Sequence, residues 1–210
     1  MSDFTYEQND IKTPLETYEW DNTWWDHAGT EGVPRVLLIG DSISVGTRRV
    51  ATATAEEKIY FDGYGTSKAL DNPYFCDSIR LVAAQQRGCD MVMFNNGLHG
   101  FHLEDETAYR AHYENVIRFL VAHFKEIPVV LLLSTSVAKE ERDRRVVVRN
   151  RVVLELAKQY DLPVIDLYAV TAANKHLLSD GVHFVQEGYE IIAKELVEYA
   201  RKNIPALQKA

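Results

Sequence analysis

The chain has 210 residues, 46% hydrophobic and 26% charged, enough to bury one substantial core and too few to expect two. Its 23 Lys and Arg against 31 Asp and Glu leave a formal charge of −8, which disfavours nucleic acid and anionic membrane surfaces as partners and favours a small neutral or cationic ligand. No basic stretch followed by an apolar run opens the chain, and no segment reaches the roughly 18 uncharged apolar residues of a membrane span, so a cytoplasmic protein is expected. Its two cysteines, Cys76 and Cys89, lack metal-type or disulfide spacing and read as free, buried thiols.

Residues 1–33 are acidic, aromatic and poor in aliphatic side chains, with Trp20, Trp24 and Trp25 close together. Such a segment cannot fold alone. It is expected to be an arm that packs its indoles across a sheet edge or helix layer, or one whose Trp24 and Trp25 reach a binding pocket as a flat surface for a sugar ring.

From there on, apolar and β-branched runs bounded by turn residues recur. They fall at 35–39, 58–61, 91–94, 128–133 and 163–167, and each predicts a short buried strand. Helical periodicity lies between them. From Thr107 to Phe124 one stripe carries Tyr109, Tyr113, Val116, Leu120 and Phe124, and from Glu187 to Asn203 another carries Tyr189, Ile192, Leu196 and Ala200. The stretch 142–160 contains Val146-Val147-Val148, which favours a strand locally. Over a longer window Val146, Asn150, Val153 and Ala157 keep helical spacing, so a helix is predicted. Its arginines, interleaved with Glu140, Glu141, Asp143 and Glu155, read as a solvated, salt-bridged face. Alternating strands and helices imply right-handed crossovers. The expected fold is a single α/β domain, a three-layer α/β/α, flavodoxin-like architecture on a five-stranded parallel sheet, with residues 1–33 as an arm.

Two motifs carry chemistry. The strand at 35–39 runs into Gly40-Asp41-Ser42 at the start of a helix, and in open parallel sheets ligands bind beyond the carboxyl ends of strands. A helix N-terminus presents backbone N–H groups and a positive dipole end to an oxygen that gains negative charge. Taken alone, Gly-Asp-Ser is also an ordinary helix cap. Near the C-terminus stands Asp180-Gly181-Val182-His183. A serine hydroxyl needs an imidazole to take its proton and a carboxylate to fix that imidazole's tautomer. His183 facing Ser42 and Asp180 through its two ring nitrogens supplies both.

Taken together, Gly40-Asp41-Ser42-Ile43 and Asp180-Gly181-Val182-His183, about 140 residues apart, resemble the first and last sequence blocks of the SGNH/GDSL hydrolases, over roughly Arg35 to the C-terminus. The resemblance implies ester hydrolysis through a serine acyl-enzyme, no cofactor, and a catalytic triad of Ser42, Asp180 and His183. It further implies an oxyanion hole made from the Ser42 backbone N–H, a glycine of the second block and an asparagine of the third. In Phe61-Asp62-Gly63-Tyr64-Gly65 the glycine is taken as Gly65, with Gly63 as alternative. The third block departs from the family's Gly-x-Asn-Asp: here Asn95-Asn96-Gly97-Leu98-His99-Gly100 puts His99 in the asparagine's place, with Asn96 and Asn95 as competitors. The phrase Asn-Asn-Gly-Leu-His-Gly, the Trp-rich segment and Arg149-Asn150 resemble a bacterial, carbohydrate-esterase-like branch often linked to deacetylation of plant polysaccharide fragments.

The resemblance therefore suggests a short-chain, acetyl esterase acting on a small-molecule or oligosaccharide ester, with Asp41, Trp24 and Trp25 beside the substrate. A lysophospholipase or thioesterase on the same triad is an alternative, as is a sugar-binding protein that has lost catalysis. His99, His102 and Asp105 do not complete a zinc ligand set, and no metal is expected.

Overall fold

In the computed structural model, which describes residues 13–16 and 18–208, the predicted apolar runs are strands of one sheet. β2 (Arg35–Gly40), β3 (Tyr60–Thr66), β4 (Met91–Phe94), β5 (Val129–Leu132) and β6 (Val164–Ile165) are parallel, in the order β3-β2-β4-β5-β6. A sixth strand, β1 (Asp21–Trp24), lies antiparallel on the outer edge of β3. The expected count of five is corrected by the N-terminal arm, whose Asp-Asn-Thr-Trp holds the edge by backbone pairing and has no apolar alternation for periodicity to detect.

Each strand sends alternate residues to opposite faces. Leu37, Ile39, Val92, Phe94 and Leu131 meet one layer through Ile79 of α2 (Phe75–Gln85), Tyr113 and Leu120 of α3 (Glu106–His123) and Leu156 of α4 (Glu140–Tyr160). Val36, Leu38, Met91, Met93, Val130 and Leu132 meet the other through Ile43 and Ala51 of α1 (Ser42–Thr54), Leu167 of α5 (Leu167–Ala172) and Ile192 and Leu196 of α6 (Gln186–Asn203). This is a three-layer α/β/α fold. Periodicity overrides propensity in α4: Val146 is buried while Val147 and Val148 face solvent.

β3 runs well past the predicted 58–61, through Asp62-Gly63-Tyr64-Gly65-Thr66. A buried ion pair explains how a charged residue sits mid-strand. The Arg35 guanidinium donates to both Asp62 oxygens, at 2.9 and 3.1 Å, and to the backbone carbonyls of Asp26, His27 and Thr30. Asp62 also accepts from the Asp26 N–H and the Gln86 amide. Burial still pushes the Asp62 carboxyl above its ordinary value, against the pull of those donors and of the Arg35 charge. The pair joins the segment following β1 to β2 and β3, and removing one partner strands the other charge in the core. Asp62→Ala is expected to lower the unfolding free energy by about 3–5 kcal/mol in urea titration; a loss below about 1 kcal/mol contradicts this role.

Candidate active site

β2 ends at Gly40, and α1 begins two residues later with Ser42. The turn between them is fixed by Asp41, whose Oδ1 accepts from the Ile43 N–H at 2.9 Å and caps the helix. Asp41 is only 1% exposed, and burial raises the proton affinity of its carboxyl against the opposing charges of His99 and His183 and the N–H groups of Ile43 and Ser44. Enclosed in this way it is a helix cap directly before Ser42.

The second motif forms a closed loop before α6. Leu178 and Phe184 form an antiparallel bridge, and the Ser179 N–H donates to the His183 carbonyl at 2.7 Å. Gly181 turns the chain at φ +91°, a region that L side chains rarely adopt. Asp180 is oriented by its own loop, because its Oδ1 accepts from the backbone N–H groups of Val182 and His183 at 2.9 and 2.8 Å. Its Oδ2 lies 2.7 Å from His183 Nδ1, and His183 Nε2 lies 2.8 Å from Ser42 Oγ. Partial burial works to raise the Asp180 carboxyl, but the side-chain and backbone hydrogen bonds from His183 and Val182 outweigh it and hold the value at about 2. The structure thus brings Ser42, His183 and Asp180 into one chain of hydrogen bonds.

The expected oxyanion donors are placed differently from one another. Gly63 and Gly65 lie inside β3, paired with β2 on one side and β1 on the other; Gly65 stands opposite Gly40, and a Cβ on it would lie 3.5 Å from the Asp41 carbonyl, beside the Ser42 turn. Asn95 spends its amide on the Leu132 carbonyl and the Ser134 hydroxyl. Asn96 donates to the Lys68 carbonyl. His99 is buried, and its Nδ1 lies 3.2 Å from Glu16 Oε1.

Neither a protein-family model nor a curated protein matches the sequence. Solved structures match the fold. A member of the lipolytic protein G-D-S-L family from Veillonella parvula superposes with a TM-score of 0.65 at 17% identity, over 79% of this chain and 97% of that one. A lipase/acylhydrolase from Enterococcus faecalis gives 0.63 at 20% identity, covering 82% and 97% of the two chains. The acetyl xylan esterase AlAXEase gives 0.61 at 18%, covering 79% and 98%. The fold is that of the GDSL/SGNH hydrolases.

In this SGNH fold the third-block loop is held by a residue that the sequence reading had placed on a solvated face. Arg149 of α4 is 2% exposed, stacks over the Tyr109 ring at 4.6 Å and donates to the carbonyls of Gly97, His99, Gly100 and Leu103. Its neighbour Asn150 brackets Ser134, accepting from its N–H and donating to its carbonyl. The signal was present in the spacing: Arg149 and Asn150 fall three and four residues after buried Val146, on the inward stripe. Arg144 and Arg151 do pair at the surface, with Glu140 and Glu106.

The indoles are also redistributed. Trp24 lies against the Arg48 and Arg49 guanidiniums opposite Gly63, and Trp25 packs on the α2–α3–α4 core. Antiparallel pairing sends β1 away from the Ser42 end as it proceeds, so the indole at the site is that of Trp20, edge-on to His99 with ring centres 6.3 Å apart. His102 pairs with Asp71 at 2.8 Å, and among the described residues no group of three His, Cys, Asp or Glu side chains is arranged to hold a metal ion. Nor is any described helix long and apolar enough to cross a membrane.

The Asp180 contact requires the neutral His183 ring to carry its proton on Nδ1. Nitrogen NMR of the imidazole is expected to report that tautomer in the parent protein and the Nε2–H tautomer in Asp180→Asn. An unchanged tautomer in the variant contradicts the assigned geometry.

Proposed function

We propose that this protein is a serine esterase that removes short acyl groups, acetyl foremost, from carbohydrate fragments. The observation that carries the reading is the alignment of Ser42 Oγ, His183 and Asp180 through contacts of 2.8 and 2.7 Å. A nucleophile, a base and an orienting carboxylate in that order are what acyl transfer to serine requires. The likeness to an acetyl xylan esterase favours an acetylated saccharide as substrate.

In this mechanism His183 Nε2 accepts the Ser42 proton as Oγ attacks the ester carbonyl. Asp180, ionised at any pH above about 2, stabilises the imidazolium. The oxyanion forms beside the first turn of α1, where the Ser42 N–H and the helix dipole favour negative charge, and His99 supplies the third-block donor. His183 then returns the proton to the departing alcohol, and water repeats the sequence on the acetyl-enzyme. Trp20, beside His99, offers the flat face to the sugar ring that the reading requires.

Hydrolysis of p-nitrophenyl esters as a function of acyl length and pH tests the reading. Acetate is expected to be released much faster than acids of eight or more carbons. Asp180 is expected to add no inflection to the pH profile above pH 4, because its carboxyl is held at about 2. Ser42→Ala is expected to lose about four orders of magnitude or more. A maximum at long chains overturns the acetyl preference, and Ser42→Ala activity within tenfold of the parent overturns the mechanism.

A further inference from the structure

The arm ahead of β1 brings a carboxylate to the residue that stands in the third block's asparagine position. Glu16 Oε1 lies 3.2 Å from His99 Nδ1, and the two side chains are only 9% and 7% exposed. The other oxygen, Oε2, is buried and has no hydrogen-bond partner. A carboxylate enclosed in this way is strongly disfavoured unless a cation stands beside it, and the base that faces it is His99.

Further contacts seat the arm. Glu19 Oε1 accepts from the Asn72 amide and from the Glu16 N–H. The Trp20 N–H donates to the Ser67 hydroxyl, and the Trp20 carbonyl accepts from the Ser67 N–H. The Trp20 indole that flanks His99 also lies beside the Ser42 turn, since a Cβ on Gly65 would stand 3.4 Å from its Cζ3 and 3.5 Å from the Asp41 carbonyl. Arg149 donates to the His99 carbonyl, so α4 holds the main chain of this residue while the arm holds its ring.

A carboxylate only accepts hydrogen bonds, so the contact puts a proton on His99 Nδ1. A neutral imidazole then has a bare Nε2, which accepts and does not donate. An oxyanion needs a donor. His99 serves one while paired to Glu16 only as the imidazolium, with a proton on each nitrogen. An asparagine amide carries its N–H groups without charge and needs no counter-ion. A histidine at this position and a buried glutamate on the arm therefore act as one unit.

We propose that Glu16 is a positioning residue that holds His99 as a doubly protonated donor to the ester oxyanion. The inference rests on the esterase reading, since it names how that site stabilises its transition state, but the state of the ring is measurable without turnover. Nitrogen NMR at neutral pH, with the His99 signals assigned through His99→Asn, is expected to show protons on both ring nitrogens in the parent. In Glu16→Gln, which keeps an acceptor of the same size and removes the charge, it is expected to show one. With p-nitrophenyl acetate, Glu16→Gln is expected to lower kcat at least tenfold and to leave KM within twofold. In the His99→Asn background the same change is expected to alter kcat less than twofold.

A singly protonated His99 in the parent, a doubly protonated one in Glu16→Gln, or an unchanged kcat in that variant overturns the proposal. So does an equal loss of kcat in both backgrounds, because damage to the arm acts whichever residue occupies position 99. Hydrolysis by a parent whose His99 carries one proton removes this inference and leaves the esterase. A doubly protonated His99 in a parent that cleaves no ester removes the esterase reading, and the donor role with it, and leaves the charged pair.

Discussion

The close contact of α1 with α6 is the constraint on which the site depends. Ser42 opens α1 and His183 lies just ahead of α6, 141 residues later in the chain, so the 2.8 Å contact between them exists only because these helices pack side by side on one sheet face. At Gly46 they approach closely: a Cβ there would lie 2.4 Å from the Tyr189 ring. With no side chain at that point, the Tyr189 ring settles against α1 and the first turns of both helices are drawn together. The parallel sheet sets the other coordinate, because β2 delivers Ser42 at its carboxyl end, where the loops after β4 and β5 also emerge.

Those loops bury Phe101, Leu103, Leu133 and Val137 and are held by buried polar groups as well. Arg149 gathers four carbonyls of the loop after β4, while Asn95 ties that loop to Ser134 just past β5 and Asn150 ties Ser134 to α4. A lysine would present one compact charge where the planar guanidinium spreads its donors over two nitrogens. On the other side, the N-terminal arm closes the edge of β3 and brings Glu16 and Trp20 to His99. The site is thus assembled from a sheet end, two helix N-termini, one arginine-held loop and an arm remote in sequence.

Much of this was legible in the sequence, for physical reasons that also explain the failures. The strands were visible because their residues are buried on both faces, and the triad positions were visible because Asp180 and His183 lie three apart around a glycine turn and Ser42 follows a strand. β1 and the far half of β3 were not: they are held by backbone pairing and by the Arg35–Asp62 pair, and neither leaves a hydrophobic pattern. Gly65 was assigned to a loop because Asp-Gly-Tyr-Gly-Thr resembles one. Arg149 was assigned to the surface because charge usually goes there, although its helical phase with Val146 pointed inward. Trp24 and Trp25 were favoured over Trp20 because composition alone gives no strand direction, and the direction of β1 decides which indole reaches the site.

The central claim is that His183, oriented by Asp180, makes Ser42 a nucleophile. Intact-mass spectrometry after treatment with a fluorophosphonate probe, with peptide mapping of the adduct, addresses it most directly. The account predicts one adduct per chain, on Ser42, with labelling abolished in His183→Ala. Labelling at another residue, or an inert Ser42 in the folded parent protein, contradicts it.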